Sequence, residues 1–211
     1  MNGANFGSNA TGVWSTNSTI KMFNSSIRNC ENGGLYSENS EILLIENSNI
    51  SNNTKFGLSC QNLGSLDISN SVINNNLGPG IHLSNLNNVM ITNSDISYNI
   101  IEYNTSQDGI PQGGGITILN TGLFTIETTT LSNNSGPWAG GIWLYQTTFQ
   151  IDECIFKHNS GTWPSSSAAD AGGANLSPGS DSGTSSVTNS TFLNNSSSGK
   201  GGGLNASAGF G

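Results

Sequence analysis

Residues 33–53 read GGLYSENSEILLIENSNISNN, and the same order of residue types recurs along most of the chain. Each unit begins with a glycine followed by an apolar residue, and it ends with an asparagine three positions after another apolar residue. We call the glycine next to the first apolar residue the anchor of the unit. The anchors are Gly12, Gly34, Gly57, Gly80, Gly115, Gly141, Gly173 and Gly203. They are 22 to 35 residues apart, which is the length of one repeat in a solenoid.

The length of a unit varies in only one place. From Gly34 to Asn53 there are 19 residues, and the same spacing holds in the next three units. Nearly all extra length lies between the terminal asparagine and the next anchor, at 100–114, 135–140, 160–172 and 196–202. We therefore expect one corner of each unit to accept insertions, while the remainder is nearly constant.

Inside a unit the apolar residues alternate with polar ones, as in LDI at 66–68 and FTI at 124–126. This period of two is typical of strands, and the frequent Gly and Asn residues disfavour helices. Alignment on the anchors produces three apolar columns, of which Leu58, Ile68 and Ile73 are one set of members. The sequence therefore predicts an all-β fold: a single-stranded parallel β-helix of seven to eight coils, with three strands per coil and an apolar axis. We expect residues 1–211 to form one such domain, a segment of a longer rod.

The terminal asparagines are predicted to form a ladder. In a parallel β-helix each residue lies about 4.8 Å above its counterpart in the preceding coil, so that amide side chains can bond from coil to coil. The structural ladder is predicted to contain Asn53, Asn76, Asn99, Asn134, Asn159 and Asn195, with Cys30 in the first slot. A second polar ladder is predicted in the asparagine column that follows the second strand, where each asparagine is followed by serine: Asn24, Asn47, Asn70, Asn93 and Asn189.

Composition excludes several classes of function. The chain carries five basic residues and a formal net charge of −8, and no basic stripe is present, so neither nucleic acid nor an anionic membrane is an expected partner. The longest apolar run, ILLI at 42–45, has the length of a strand, and membrane insertion is not expected. The N-terminus lacks the pattern of a secretory signal. The three cysteines have no metal-type spacing, and the sequence suggests neither a metal nor a cofactor.

The tetrapeptides GGLY, GGIW and GGAN, together with FKHN and FLNN, resemble the GGA[ILV] and FxxN repeats of the polymorphic outer membrane proteins. More broadly, the coil resembles those of the right-handed β-helix, pectate-lyase-like superfold. The resemblance covers about residues 11–206 and implies a surface-exposed adhesin, usually the passenger of an autotransporter. Four of the FxxN slots carry Ile or Leu, and the chain shows no C-terminal membrane barrel, so the sequence departs from that pattern.

Two sets of residues are candidates for chemistry. Glu127 and Asp152 share an outward column in adjacent coils, at a spacing compatible with the paired carboxylates of glycoside hydrolases, although they are equally consistent with two solvated acids. Aromatic residues in or beside the insertion corner are the second set, and exposed aromatic faces stack on sugars and form protein hot spots. The candidate binding residues are Tyr103, Trp138, Trp143 and Trp163. The alternative is that the corner loops fold back and these rings cover the sheet.

Together these features favour a non-enzymatic extracellular or cell-surface rod, structural or adhesive, whose corner loops contact surfaces, glycans or like subunits. The alternatives are a polysaccharide hydrolase or lyase and a carbohydrate-binding module. Expected partners are a glycan, a cell-surface protein or another copy joined end to end. Among the Asn-x-Ser/Thr sequons, Asn104 in the long insertion is the glycosylation candidate.

Overall fold

A computed structural model describes residues 10–102, 112–162, 171–179 and 184–206. Every strand pair in these ranges is parallel, and the strands form four sheets that run along the rod. The described part of the chain has no helix of the length and apolarity needed to cross a membrane. Tyr103, Asn104 and Trp163 lie outside the described residues, so the predictions made for them remain predictions.

The first and second sheets contain the strands that follow each anchor. The first sheet consists of Val13–Thr16, Leu35–Glu38, Leu58–Gln61, Ile81–Ser84, Ile116–Leu119, Ile142–Tyr145, Ala174–Ser177 and Leu204–Ala206. The second sheet consists of Ile20–Phe23, Ile42–Glu46, Ser65–Ser69, Asn88–Thr92, Leu123–Glu127, Thr148–Asp152 and Ser186–Thr188. Strands of one sheet belong to successive coils, as a parallel β-helix requires.

The third sheet completes each coil. Its strands are Ser26–Arg28, Asn49–Ser51, Val72–Asn74, Asp95–Ser97, Thr130–Ser132, Ile155–Lys157 and Thr191–Leu193. A fourth sheet, absent from the sequence prediction, consists of the two-residue strands Ser135–Gly136, Ser160–Gly161 and Ser196–Ser197. It lies at the insertion corner directly after the ladder asparagine. The predicted architecture is confirmed, with an added short side in the later coils.

The apolar columns pair in register along the axis. Leu35 is opposite Leu58 in the first sheet, Ile45 opposite Ile68 in the second, and Ile50 opposite Ile73 in the third. All six side chains are fully buried or nearly so, at 0 to 1% exposure. Near the C-terminal end the third column carries phenylalanines, and the rings of Phe156 and Phe192 stack with centroids 4.5 Å apart. One narrow continuous core therefore runs through the rod, and a third of the residues is enough to fill it.

Nearly every strand of the first three sheets is followed at once by a residue with left-handed backbone conformation. Among the described residues, twenty non-glycine positions have φ between 47° and 58°, and they fall at three corners of the coil. Fifteen of them are asparagine, which tolerates this conformation because its short side chain bonds locally. Asn62, Asn70 and Asn75 mark the three corners of one coil. Much of the asparagine content of the chain is thus required by the backbone at its bends.

The terminal asparagines form a continuous chain of hydrogen bonds inside the rod. Asn53 donates from Nδ2 to Oδ1 of Asn76 at 2.9 Å, and Asn76 donates in the same way to Asn99 at 2.9 Å. The links from Asn99 to Asn134, from Asn134 to Asn159 and from Asn159 to Asn195 are each 3.1 Å. The same oxygens also accept from backbone N–H groups, as Asn76 Oδ1 does from Asn53 at 3.1 Å. These amides are therefore satisfied although the side chains from Asn53 to Asn159 are at most 1% exposed.

The anchor glycine leaves room for this ladder. A Cβ on Gly57 would lie 2.8 Å from Nδ2 of Asn76 and 2.6 Å from the carbonyl oxygen of Gly80. A Cβ on Gly80 would lie 2.6 Å from Nδ2 of Asn99. A side chain at either of these two anchors would displace the ladder amide of the same coil. The constant 19-residue spacing reflects this contact between the two ends of one coil.

The second ladder differs from the prediction, because serine rather than asparagine forms it. The hydroxyl of Ser71 accepts from the backbone N–H of Ser48 at 3.1 Å and donates to the carbonyl of Ser69 at 2.7 Å. The hydroxyl of Ser94 accepts from Ser71 in the same way at 3.2 Å. The preceding residue, Asn70, is exposed and has φ 49°. Asparagine makes the bend in each NS pair, and serine bonds the coils.

We expect Asn76→Ala to lower the free energy of unfolding by about 2–4 kcal/mol, because it leaves the amide of Asn53 without its acceptor and opens a cavity. Its matched control is Asn75→Gly at the exposed neighbouring corner, which keeps the left-handed bend and should cost less than about 1 kcal/mol. Urea denaturation followed by circular dichroism measures both. Equal losses in the two variants would contradict a stabilising ladder.

The corner conformation predicts a second difference. Asn70→Val should destabilise the rod by about 1–2 kcal/mol, because a β-branched residue is strained at φ 49°. Asp67→Val places the same side chain at an exposed strand position, where valine is favourable, and should be neutral or stabilising. The same denaturation measurement compares them. If Asn70→Val is as stable as Asp67→Val, backbone conformation does not explain why asparagine occupies these corners.

Candidate functional site

Two of the predicted binding residues lie together at the insertion corner. Trp143 is on the outward face of the first sheet, next to Thr117 of the preceding coil and Asn175 of the following coil. Trp138 belongs to the corner that leads into the same strand. The two ring centroids are 6.5 Å apart and the planes are inclined at 60°. Trp138 is half-buried and Trp143 is only 6% exposed, so Trp143 is the buried member of this pair and Trp138 lies nearer the surface.

The chain around Gly113 folds back over the outward face of the first sheet and covers Trp143. The backbone N–H of Gly113 donates to Oγ1 of Thr117 at 2.8 Å, and that hydroxyl donates to the carbonyl of Gly113 at 3.2 Å. A Cβ on Gly113 would lie 2.6 Å from the backbone nitrogen of Trp143. Thr117 is consequently fully buried although it points away from the core. Trp143 therefore follows the alternative expectation, in which the corner loops fold back and the aromatic rings lie against the sheet.

The covering layer is itself periodic. Single parallel bridges connect Gly113 to Ala139, Ala139 to Ala171, and Ala171 to Gly201. Ala139 and Ala171 are fully buried. Small residues recur here because each one is enclosed between the sheet and the next corner. The later coils thus carry a second stacked layer, and the sequence signal for it was the recurrent A/G-G-G before the anchor.

Tyr145 extends the cluster towards solvent, and sequence reasoning did not single it out. It lies two residues after Trp143, so both side chains point outward from the same strand. The two rings are nearly parallel at 3°, with centroids 5.9 Å apart, and Tyr145 is 43% exposed. The alternation of inward and outward residues along IWLY is the sequence signal that places Tyr145 on the same face as Trp143. We call Trp138, Trp143 and Tyr145 the corner cluster.

The predicted acid pair is in register, and one of its two carboxylates also bonds to side chains of the following coil. Glu127 and Asp152 are direct neighbours in the second sheet. The carboxylate of Asp152 accepts from the hydroxyl of Thr188 at 2.6 Å and from the amide of Asn189 at 2.9 Å. These two hydrogen bonds, that of Thr188 foremost, hold the pKa of the Asp152 carboxyl below its ordinary value. Asp152 is therefore ionised at neutral pH and bonded to the following coil.

Burial shifts the pKa values of the three cysteines and of His82. Cys30, Cys60 and Cys154 are free and buried, and burial raises the pKa of each thiol, that of Cys154 to about 11. Burial lowers the pKa of His82, which is therefore neutral at pH 7. In the described ranges, no group of three or more His, Cys, Asp or Glu side chains converges as a metal would require.

Comparison with known proteins agrees with the parallel coils. The family model described as "Right handed beta helix region" matches residues 1–109 and 87–210. Neither the curated proteins nor the solved structures provide a match. The two family matches together span nearly the whole chain, and the sheets stack coil upon coil as that description requires. The chain therefore belongs to the right-handed β-helix family.

Proposed function

We propose that the chain is a non-catalytic β-helical rod of an extracellular or cell-surface protein, which contacts glycans or surface proteins through its insertion corner. The observation that carries the proposal is the corner cluster, in which the buried ring of Trp143 supports the exposed ring of Tyr145. The resemblance of the repeats to those of surface-exposed adhesins supports the location.

The rigidity of the rod supports a role in contact. Buried amide bonds join the coils from Asn53 to Asn195, and the first sheet holds Trp143 and Tyr145 on one strand. A side chain that is already ordered loses little conformational entropy when a partner binds. The corner cluster is preorganised in this sense, since Trp143 packs between the sheet and Trp138. Little of the binding free energy gained at Tyr145 is then lost to the ordering of side chains.

The chemistry of the corner cluster favours a neutral partner surface. Tyr and Trp offer a flat apolar face with a polar edge, which suits sugar rings and protein hot spots. The net charge of −8 opposes long-range attraction of polyanions. The rod also offers contacts with like subunits, because the edge strands of its parallel sheets can pair with those of another copy.

The alternative function is a polysaccharide hydrolase or lyase that uses Glu127 and Asp152, and their direct pairing in register supports it. A hydrolase needs one carboxylic acid that keeps its proton near neutral pH, which requires a raised pKa. The pKa of Asp152 is shifted in the opposite direction by Thr188 and Asn189, so Asp152 is suited at most to the base or nucleophile role. In either of these roles its Oδ1 is already engaged by two hydrogen bonds, which favours the non-catalytic rod.

We expect Tyr145→Ala to reduce retention on the partner surface about tenfold, because it removes the exposed face of the corner cluster. Retention is measured on immobilised cell-wall polysaccharides, on glycan arrays and on fixed cells, with Trp138→Ala as a second variant. Phe23→Ala is the matched control, since Phe23 is also 43% exposed but lies on the second sheet. If Tyr145→Ala and Trp138→Ala bind as Phe23→Ala does, the corner cluster is not the contact surface.

The enzyme alternative has its own test. Incubation with neutral and anionic polysaccharides should release neither reducing ends nor unsaturated products, because hydrogen bonds from Thr188 and Asn189 already occupy Oδ1 of Asp152. Reducing-end assays and ultraviolet absorbance measure the two products. Activity that disappears in both Glu127→Gln and Asp152→Asn would establish catalysis and overturn the proposed function.

A further inference from the structure

At the corners after the second and third strands of a coil, most asparagines are followed by a backbone N–H that is bonded to the adjoining coil. The N–H of Ser48, which follows Asn47, donates to the hydroxyl of Ser71 at 3.1 Å. The asparagine ladder holds the N–H after Asn52 in the same way, at 3.1 Å from Oδ1 of Asn76. The serine and asparagine ladders repeat these two bonds from coil to coil.

These bonds protect an asparagine from its own chemistry. Asparagine loses its side-chain amide when the backbone nitrogen of the next residue gives up its proton and attacks Cγ. An N–H that is held by an acceptor gives up its proton less readily, because the hydrogen bond stabilises the protonated form. The nitrogen must also leave its place in the coil before it can reach the side chain, which requires local opening. The exposed amides of Asn47 and Asn52 are therefore expected to persist.

Asn32 and Gly33 lack this protection, and they form the one Asn-Gly step within the described residues. Glycine has no side chain to hinder the attack on the preceding asparagine. Within the described part of the chain no group accepts a hydrogen bond from the N–H of Gly33, although its carbonyl accepts from the N–H of Gly12 at 2.9 Å. The amide of Asn32 donates to Oγ1 of Thr11 at 3.3 Å, which is longer than the usual range and holds the side chain weakly.

Packing requires the glycine of this step. Gly33 is buried, and a Cβ there would overlap the ring of Phe56 in the next coil. The attacking nitrogen and Cγ belong to adjacent residues, so the burial of Gly33 does not separate them. The rod thus keeps a reactive Asn-Gly step at a position where the fold needs a residue without a side chain.

We propose that Asn32 is a modification site, at which asparagine converts to aspartate and isoaspartate without an enzyme. The nitrogen of Gly33 loses its proton to hydroxide and bonds to Cγ, while the bond from Cγ to Nδ2 breaks and Nδ2 leaves as ammonia. Water then opens the cyclic imide. Cleavage of the new bond to Cγ gives aspartate, and cleavage of the bond to the backbone carbonyl carbon gives isoaspartate. Each conversion consumes one water and releases one ammonia.

Isoaspartate changes the coil, because the backbone then runs through the side chain of residue 32 and is one carbon atom longer. The carbonyl of Gly33, which accepts from Gly12, follows directly after this point. So does the anchor Gly34, whose N–H donates to the carbonyl of Phe56 at 3.0 Å. We therefore expect isoaspartate to weaken the attachment of this coil to both neighbours, whereas aspartate adds a negative charge without a change in length.

The test compares asparagines within one peptide. Trypsin cleavage after Arg28 and Lys55 releases a peptide that contains Asn32 together with Asn47 and Asn52. The full chain is aged in mildly alkaline buffer and digested, and tandem mass spectrometry locates a gain of about 1 Da at each asparagine. The same peptide, aged alone, gives the rates without a fold. We expect Asn32 to react in the folded chain within about threefold of its rate in the peptide, and the other two to react more than about tenfold more slowly.

A pair of variants tests the protection itself. Ser71→Ala removes the hydroxyl that accepts from the N–H of Ser48, and it should raise the rate at Asn47 severalfold with no change at Asn32. Ser69→Ala is the matched control, a serine of the same coil whose side chain points outward. Circular dichroism checks that both variants are folded. Equal slowing of Asn32 and Asn47 relative to the peptide overturns the modification site, and equal rates at Asn47 in the two variants overturn protection by the serine ladder.

Discussion

The buried amide ladder is the constraint on which the rod depends. The ladder asparagines from Asn53 to Asn159 bond the next coil through their side chains, and those from Asn76 onwards also donate to the preceding coil, as Asn76 does to the carbonyl of Ile50 at 3.3 Å. An amide enclosed in an apolar core is costly unless all its groups are paired, and a register shift by one residue would unpair the whole column. The ladder therefore defines the register as well as contributing to stability. The anchor glycines follow from it, because Gly57 and Gly80 lie against these amides.

The same constraint explains where the chain varies. Between an anchor and its ladder asparagine most residues belong to a strand in register or to the left-handed bend that follows it, so an insertion within those segments would displace the core. Beyond the asparagine the chain has already made its bonds to both neighbouring coils, and Asn134 can be followed by a short bridged strand at Ser135. The described residues of this corner that precede the first strand, such as Gly113 and Ala139, form a second layer over the first sheet. Functional diversity can accumulate there without loss of the fold.

Sequence reasoning predicted the fold well because a period of two and a fixed spacing depend on residue type alone. Leu58, Ile68 and Ile73 lie where their columns placed them. It misplaced the second ladder, because Asn70 and Ser71 are both polar and only the backbone shows which one bends and which one bonds. It placed Trp138 and Trp143 at a common corner, where their rings are in contact, but the burial of Trp143 depends on how Gly113 folds back. The A/G-G-G that recurs before the first strand indicates a repeated layer but does not indicate over which face it folds.

Parallel stacking also determines what an outward aromatic residue can do. Side chains in one column are separated by about 4.8 Å, which is close to ring-stacking distance, so two aromatics in register stack on each other, as Trp14 and Tyr36 do. An aromatic between smaller residues is instead covered or exposed according to the corner above it, and Trp143 between Thr117 and Asn175 is covered. The first sheet thus holds outward aromatic residues in two ways, stacked on a register neighbour or covered by the corner. Because both are held by strands whose register the amide ladder maintains, their separation along the rod is as constant as the coil spacing.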